Sequence, residues 1–128
     1  MTACILDTHV LLWFFHNDSK IPQKIHRIIL DGTVKKHVSV ASMWEIAIKN
    51  RIGKLPLTNG VASIFNEVEN NGFGRRRINR KCIEIYNALP LLHRDPFDGI
   101  IVATSIEKNM PIITADENIR QYGLKWVW

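Results

Sequence analysis

Three short apolar runs rich in β-branched residues, TACIL (2–6), HVSV (37–40) and PIITA (111–115), are each followed by a segment with helical spacing. Strands alternating with helices in this way imply an α/β fold in which a central parallel sheet is covered on both faces and joined by right-handed crossovers. After TACIL, the apolar segment to Phe15 reads as a helix. In residues 21–32, Ile21, Ile25, Ile28 and Ile29 share one helical face, with Pro22 near the start and Gly32 past the end. SMWEIAIKNRIG (42–53) carries Ser42 as a cap, Glu45 three residues on as in a capping box, and Gly53 as a stop. Val61, Ile64, Phe65 and Val68 mark an amphipathic helix, and RKCIEIYNAL (80–89) another, capped by Asn79. Helical spacing returns from Pro96 to Lys108, ending near Asn109, and a short helix to Tyr122 is closed by Gly123. LKWVW (124–128) is expected to be the last strand, with Trp126 and Trp128 on the same side.

The 128 residues suit one domain, 1–128, large enough to bury a core without disulfide or metal staples. The longest apolar run, VLLWFF (10–15), is far short of the roughly 20 residues of a membrane span, so no membrane association is expected. Its LLWFF portion cannot all face inward on one helix, which leaves apolar area for a partner. The N-terminus lacks a basic region and Asp7 interrupts its apolar start, so no secretory signal is expected and the cytoplasm is the default compartment. Cys4 and Cys82 form no zinc or redox motif and read as small buried hydrophobes. His9, His16, His26, His37 and His93 show no metal-ligand pairing, and His93 is expected to brace the turn that follows it. Lys and Arg total 17 against 12 Asp and Glu, a formal charge of +5 that favours a polyanionic partner.

With so few acids, their placement is informative. Asp7 ends the first strand, Glu45 is expected in the first turn of the helix after the second, and Asp116 follows PIITA. In HRDPFDG (93–99), Asp95 reads as an N-cap, Pro96 as the first helical residue and Asp98 as the third, where negative charge meets the helix dipole. Each acid thus has a structural explanation of its own. All four nevertheless fall at the carboxyl edge of a parallel sheet, where ligands of such folds bind. Clustered carboxylates repel and raise one another's pKa values unless a cation offsets them, and a hard ion such as Mg²⁺ or Mn²⁺ does so while leaving room for phosphate oxygens. Such ions activate water for phosphodiester hydrolysis, and a cationic surface around them suits a nucleic acid.

The segments ILDTHVLLW, SVASMWEIAIKNRIGKL, LPLLHRDPFDGIIVATS and MPIITADENIRQYGLKWVW resemble, in order and spacing, the PIN-domain ribonucleases, and among them the VapC-type toxins of toxin-antitoxin pairs. The resemblance implies a three-layer α/β/α PIN-like domain and a metal-dependent endoribonuclease that hydrolyses RNA through metal-activated water. It also implies a homodimer, neutralised by a cognate antitoxin whose helix fills an apolar groove. By position the family's acids fall on Asp7, Glu45, Asp98 and the more variable Asp116, as catalytic and metal-holding residues. Thr8 and Thr114 match supporting hydroxyl positions, and Asp95 belongs to the subgroup's turn without being a metal acid. Where the subgroup often has arginine after the third acid, this chain has Gly99, and GFGRRRIN (72–79) is unusually basic for a plain short strand.

Lys49, Arg51 and Lys54 are candidate phosphate contacts, although Lys49 is also placed to pair with Glu45 at i, i+4. The cluster Arg75, Arg76, Arg77, Arg80 and Lys81 suits an RNA or antitoxin contact and equally a solvated surface. Two other readings compete. A non-catalytic PIN-like module would bind RNA or protein, but all four acids are present. A phosphoaspartate domain of the haloacid-dehalogenase kind needs a second acid two residues after Asp7, where His9 stands.

Overall fold

The computed structural model describes residues 1–128. The chain runs β1 (Ala3–Leu6), α1 (Thr8–Phe15), α2 (Gln23–Leu30), β2 (Lys35–Ser39), α3 (Val40–Arg51), α4 (Gly60–Asn70) and β3 (Gly74–Arg76). It continues through α5 (Arg80–Ala88), α6 (Pro96–Lys108), β4 (Ile112–Ile113), α7 (Glu117–Arg120) and β5 (Trp126–Val127). The five strands form one sheet in the order β3-β2-β1-β4-β5, and every pairing is parallel.

Alternation along β1 divides the core into two layers. Cys4 and Leu6 point to one face, where Val38 and Ile113 join them against Val10, Leu11, Ile25, Ile46, Ile64 and Val68. Ile5 points to the other, where it meets Ile112, Ile101, Val102 and Ile119. Helices α1 to α4 therefore cover one face and α6 and α7 the other, giving three layers. Each fully buried Ile, Leu or Val contributes about 1.5–3 kcal/mol through removal from water. The chain winds outward from β1 to β3, then crosses back to β4 on the far side of β1. The reversal opens a crevice between the carboxyl ends of β1 and β4.

Several elements differ from their sequence reading. Strand β2 begins at Lys35, because Lys36 can be buried there once its Nζ donates to the Asp31 carbonyl at 2.5 Å. It ends at Ser39, whose extended backbone and hydroxyl, accepting from Ala41 N at 3.0 Å, make it the cap of α3 in place of Ser42. Ser42 is buried inside the helix, and Glu45 lies in the second turn, so no capping box forms. The strand read as PIITA contracts to Ile112–Ile113. Trp126 and Trp128 do not share a face: β5 stops at Val127, Trp126 lies 4.1 Å from the Arg120 guanidinium, and Trp128 packs on Trp13 at 5.9 Å. The apolar run of α1 is covered by the chain itself. Phe14 and Phe15 both contact Phe73, and no residue from Val10 to Phe15 is exposed.

Candidate active site

Asp7 leaves the end of β1 and caps α1, its Oδ1 accepting from Val10 N at 2.9 Å. Its other oxygen, Oδ2, accepts from the Thr114 hydroxyl. Thr114 itself is fully buried just beyond β4, and its Oγ1 also accepts from Asp116 N at 3.0 Å. One hydroxyl thus ties the acid after β1 to the acid after β4 across the crevice. Burial pushes the Asp7 carboxyl up, the Thr114 and Val10 hydrogen bonds and His9 oppose the rise, and the nearby Asp116 charge adds to it.

Glu45 projects from the second turn of α3. Its height is set from the opposite helix, since Thr8 Oγ1 at the start of α1 donates to Ser42 Oγ at 2.8 Å, one turn before Glu45. The Glu45 side chain is 3% exposed, with Oε2 accepting from Lys49 Nζ at 2.6 Å. Its Oε1 is buried and has no partner.

Asp98 sits in the first turn of α6, held there by the turn before it. Asp95 Oδ1 accepts from Phe97 N at 2.9 Å and Asp98 N at 3.3 Å, and Pro96 occupies the first helical position, as its fixed φ and missing N–H favour. Burial raises the Asp98 carboxyl to about 6; a hydrogen bond from His93 opposes this, and the charges of Asp95, Asp7 and Glu45 push the same way as burial. All four acids therefore gather at one edge.

His93 was not visible as part of this group in the sequence. Its Nε2–H donates to Asp98 Oδ2 at 2.8 Å, and one ligand atom from each of His93, Asp98 and Asp116 lies within 4.8 Å of the other two. The signal was indirect, a bracing role for the DPFD turn, because Asp116 lies in a distant segment. A pocket of about 250 Å³ opens beside Asp7 and Asp116, lined by His9, Trp13 and Ala115.

These donors fit a hard divalent cation. Carboxylate oxygens suit Mg²⁺ or Mn²⁺, and the orphaned Glu45 Oε1 is the kind of buried, unpaired carboxylate oxygen that folding tolerates poorly without a cation. The basic residues scatter more widely. Lys49 is engaged with Glu45, whereas Arg51 and Lys54 are exposed and have no acid partner. In the second basic cluster Arg75 pairs with Glu69 and Arg80 with Glu84, while Arg77 and Lys81 pair with no carboxylate. Arg76 Nη2 lies 3.4 Å from His37 Nε2, over Gly74, where a Cβ would meet the His37 ring at 2.6 Å. At Gly99, in place of arginine, a Cβ would stand 2.4 Å from the Tyr86 ring, so any side chain there must displace that exposed ring.

A wholly parallel sheet whose buried acids collect at its switch point defines an α/β protein with a carboxylate centre. The model of the PIN domain family matches residues 4–125, and the chain belongs to that family. Among solved structures, it is similar to VapBC2 from Rickettsia felis bound to a DNA fragment from their promoter (TM-score 0.74, 14% identity, 98% of this chain and 98% of that one). It is also similar to VapBC-1 from nontypeable Haemophilus influenzae (TM-score 0.70, 20% identity, 98% and 96%). VapBC-5, of the VapBC family of toxin-antitoxin systems in Mycobacterium tuberculosis, shares the fold at TM-score 0.65 and 14% identity over 99% and 98% of the chains. No curated protein matches the sequence. At these identities the structural likeness establishes the PIN fold, a three-layer α/β/α arrangement with a parallel sheet. No helix is long and apolar enough to cross a membrane.

Proposed function

We propose that this chain is a divalent-metal-dependent endoribonuclease, acting as the toxin of a toxin-antitoxin pair. The observation that carries the reading is Glu45 Oε1, buried and unpartnered beside Asp98, whose carboxyl is raised first by burial and then by the charges of Asp95, Asp7 and Glu45. Asp7, Glu45, Asp98 and Asp116 are the residues that would hold Mg²⁺ or Mn²⁺, with His93 against Asp98. The ion, when bound, lowers the pKa of water and neutralises charge developing on a phosphodiester.

The chain's own residues prepare the site. Thr114 fixes the Asp7 carboxylate and the Asp116 backbone, Thr8 sets α3 through Ser42, and Asp95 holds the turn that presents Asp98. His93 donates to Asp98 and keeps one carboxylate oxygen oriented. The net charge of +5 suits an RNA polyanion, with Arg51 and Lys54 free to meet phosphates and Lys49 available only by leaving Glu45. The similar structures, being VapBC complexes, support an antitoxin partner, and a homodimer rests on the family resemblance alone. The reading places the 128 residues as one domain working in the cytoplasm.

Purified protein incubated with single-stranded and structured RNA should cleave in Mg²⁺ or Mn²⁺, leaving 5′ phosphate and 3′ hydroxyl ends. EDTA and Asp98→Asn should both abolish cleavage. Cutting that survives either treatment refutes the mechanism.

A further inference from the structure

Two aromatic rings stand immediately before two of the acids. Trp44 precedes Glu45 on α3, and Phe97 precedes Asp98 in the first turn of α6. The rings meet across the two helices with centroids 5.4 Å apart and planes at 85°. Trp44 is 59% exposed, and neither ring belongs to either apolar cluster of the core. Fold stability therefore gives little reason for the largest apolar side chain in the alphabet to occupy this position.

We infer that Trp44, buttressed by Phe97, is a stacking platform for a nucleobase of single-stranded RNA next to the acid cluster. The inference rests on the nuclease reading and specifies how its substrate is held. An indole on a helix, held from one side by a perpendicular ring, is already oriented and loses little freedom on stacking. Most of its surface remains open to solvent. Every base offers a π-face, so such a platform grips RNA without reading sequence, and it requires an unpaired base because duplex bases are stacked inside the helix. Carboxylates alone repel RNA, and the aromatic pair supplies an attraction that charge does not oppose.

The test uses the full chain carrying Asp98→Asn, so that RNA is bound and not cut, in Mg²⁺ with fluorescein-labelled RNA followed by anisotropy. Adding Trp44→Ala should weaken binding of a short single-stranded oligoribonucleotide by about 5- to 140-fold, the range for one lost base stack. Binding to the same sequence as a duplex should not change, and Trp44→Phe should retain most of the single-strand affinity. Equal affinity of the Trp44→Ala and parent chains for the single strand overturns the inference while leaving the nuclease reading intact. So does an equal loss for both RNA forms, or a changed oligomeric state in sedimentation, which would assign Trp44 to a protein interface. If the Asp98→Asn parent binds neither RNA, the nuclease reading falls and this inference with it.

Discussion

Replacing Asp98 with asparagine should stabilise the metal-free protein at neutral pH while removing its activity. The Asp98 carboxyl is raised to about 6 from its ordinary value of 3.8, with burial as the first cause and the charges of Asp95, Asp7 and Glu45 adding to it. Between these two values the folded chain holds a proton that the unfolded chain has released. The stability this proton supplies is complete below about pH 4 and is lost as pH rises through about 6. At pH 7.5, folding must carry an ionised carboxylate into the cluster, at a cost of about 3 kcal/mol by the 1.36 kcal/mol per pKa unit conversion. Asparagine avoids that cost but gives up a favourable charge at the start of α6, worth about 0.3–1 kcal/mol. The net expectation is a gain of about 2 kcal/mol, or roughly 6–10 °C in Tm for a chain of this size. Urea and thermal melts in EDTA at pH 7.5 and pH 4.5 measure it. The variant should be more stable at the higher pH and no more stable at the lower. Added Mg²⁺ should raise the midpoint of the unsubstituted chain more than that of the variant. Equal stability of both proteins at pH 7.5 would refute the claim that the acid cluster is electrostatically strained.

Thr114→Val keeps the shape of a fully buried residue but removes the hydroxyl shared by Asp7 and Asp116 N. Urea denaturation should show a loss of about 1–3 kcal/mol for the unpaired buried groups, and cleavage should fall with it. Gly99→Ala drives a Cβ into the Tyr86 ring and should cost about 1–3 kcal/mol; coupling to Tyr86→Ala should recover much of this, and strict additivity would count against the contact. Cys4 and Cys82 are free and buried, the Cys4 thiol being pushed up to about 11 by burial and Cys82 raised as well. Ellman's reagent at pH 8 should label neither in the native protein and both in urea.

Several helix ends are set by local chemistry alone. Asp95 and Pro96 start α6, Asn79 caps α5 by accepting from Cys82 N, and Asn109 ends α6 in the left-handed conformation, each from chemistry confined to a few neighbouring residues. The start of α3 was misplaced because Ser39 and Ser42 are equally good caps in isolation. The choice fell to the sheet, whose pairing of Ser39 with Arg76 keeps β2 extended to that residue. Alternation marks only HVSV as strand, and β2 extends back to Lys35 because the Asp31 carbonyl gives Lys36 a partner inside the fold.

The sequence by itself determined the parallel α/β layering and the positions of Asp7, Asp98 and Asp116 relative to their own strands and helices, whereas Glu45 lies one turn further into α3 than its local pattern implies. Apolar periodicity and capping are properties of short segments, so they survive without the rest of the chain. Only the tertiary structure decided that His93 joins Asp98 and Asp116, that Thr114 bridges Asp7 and Asp116, and that Trp44 meets Phe97 at the edge of the acids. Most of those contacts join segments far apart along the chain, and they exist because the sheet reverses its winding between β1 and β4, which no local pattern records.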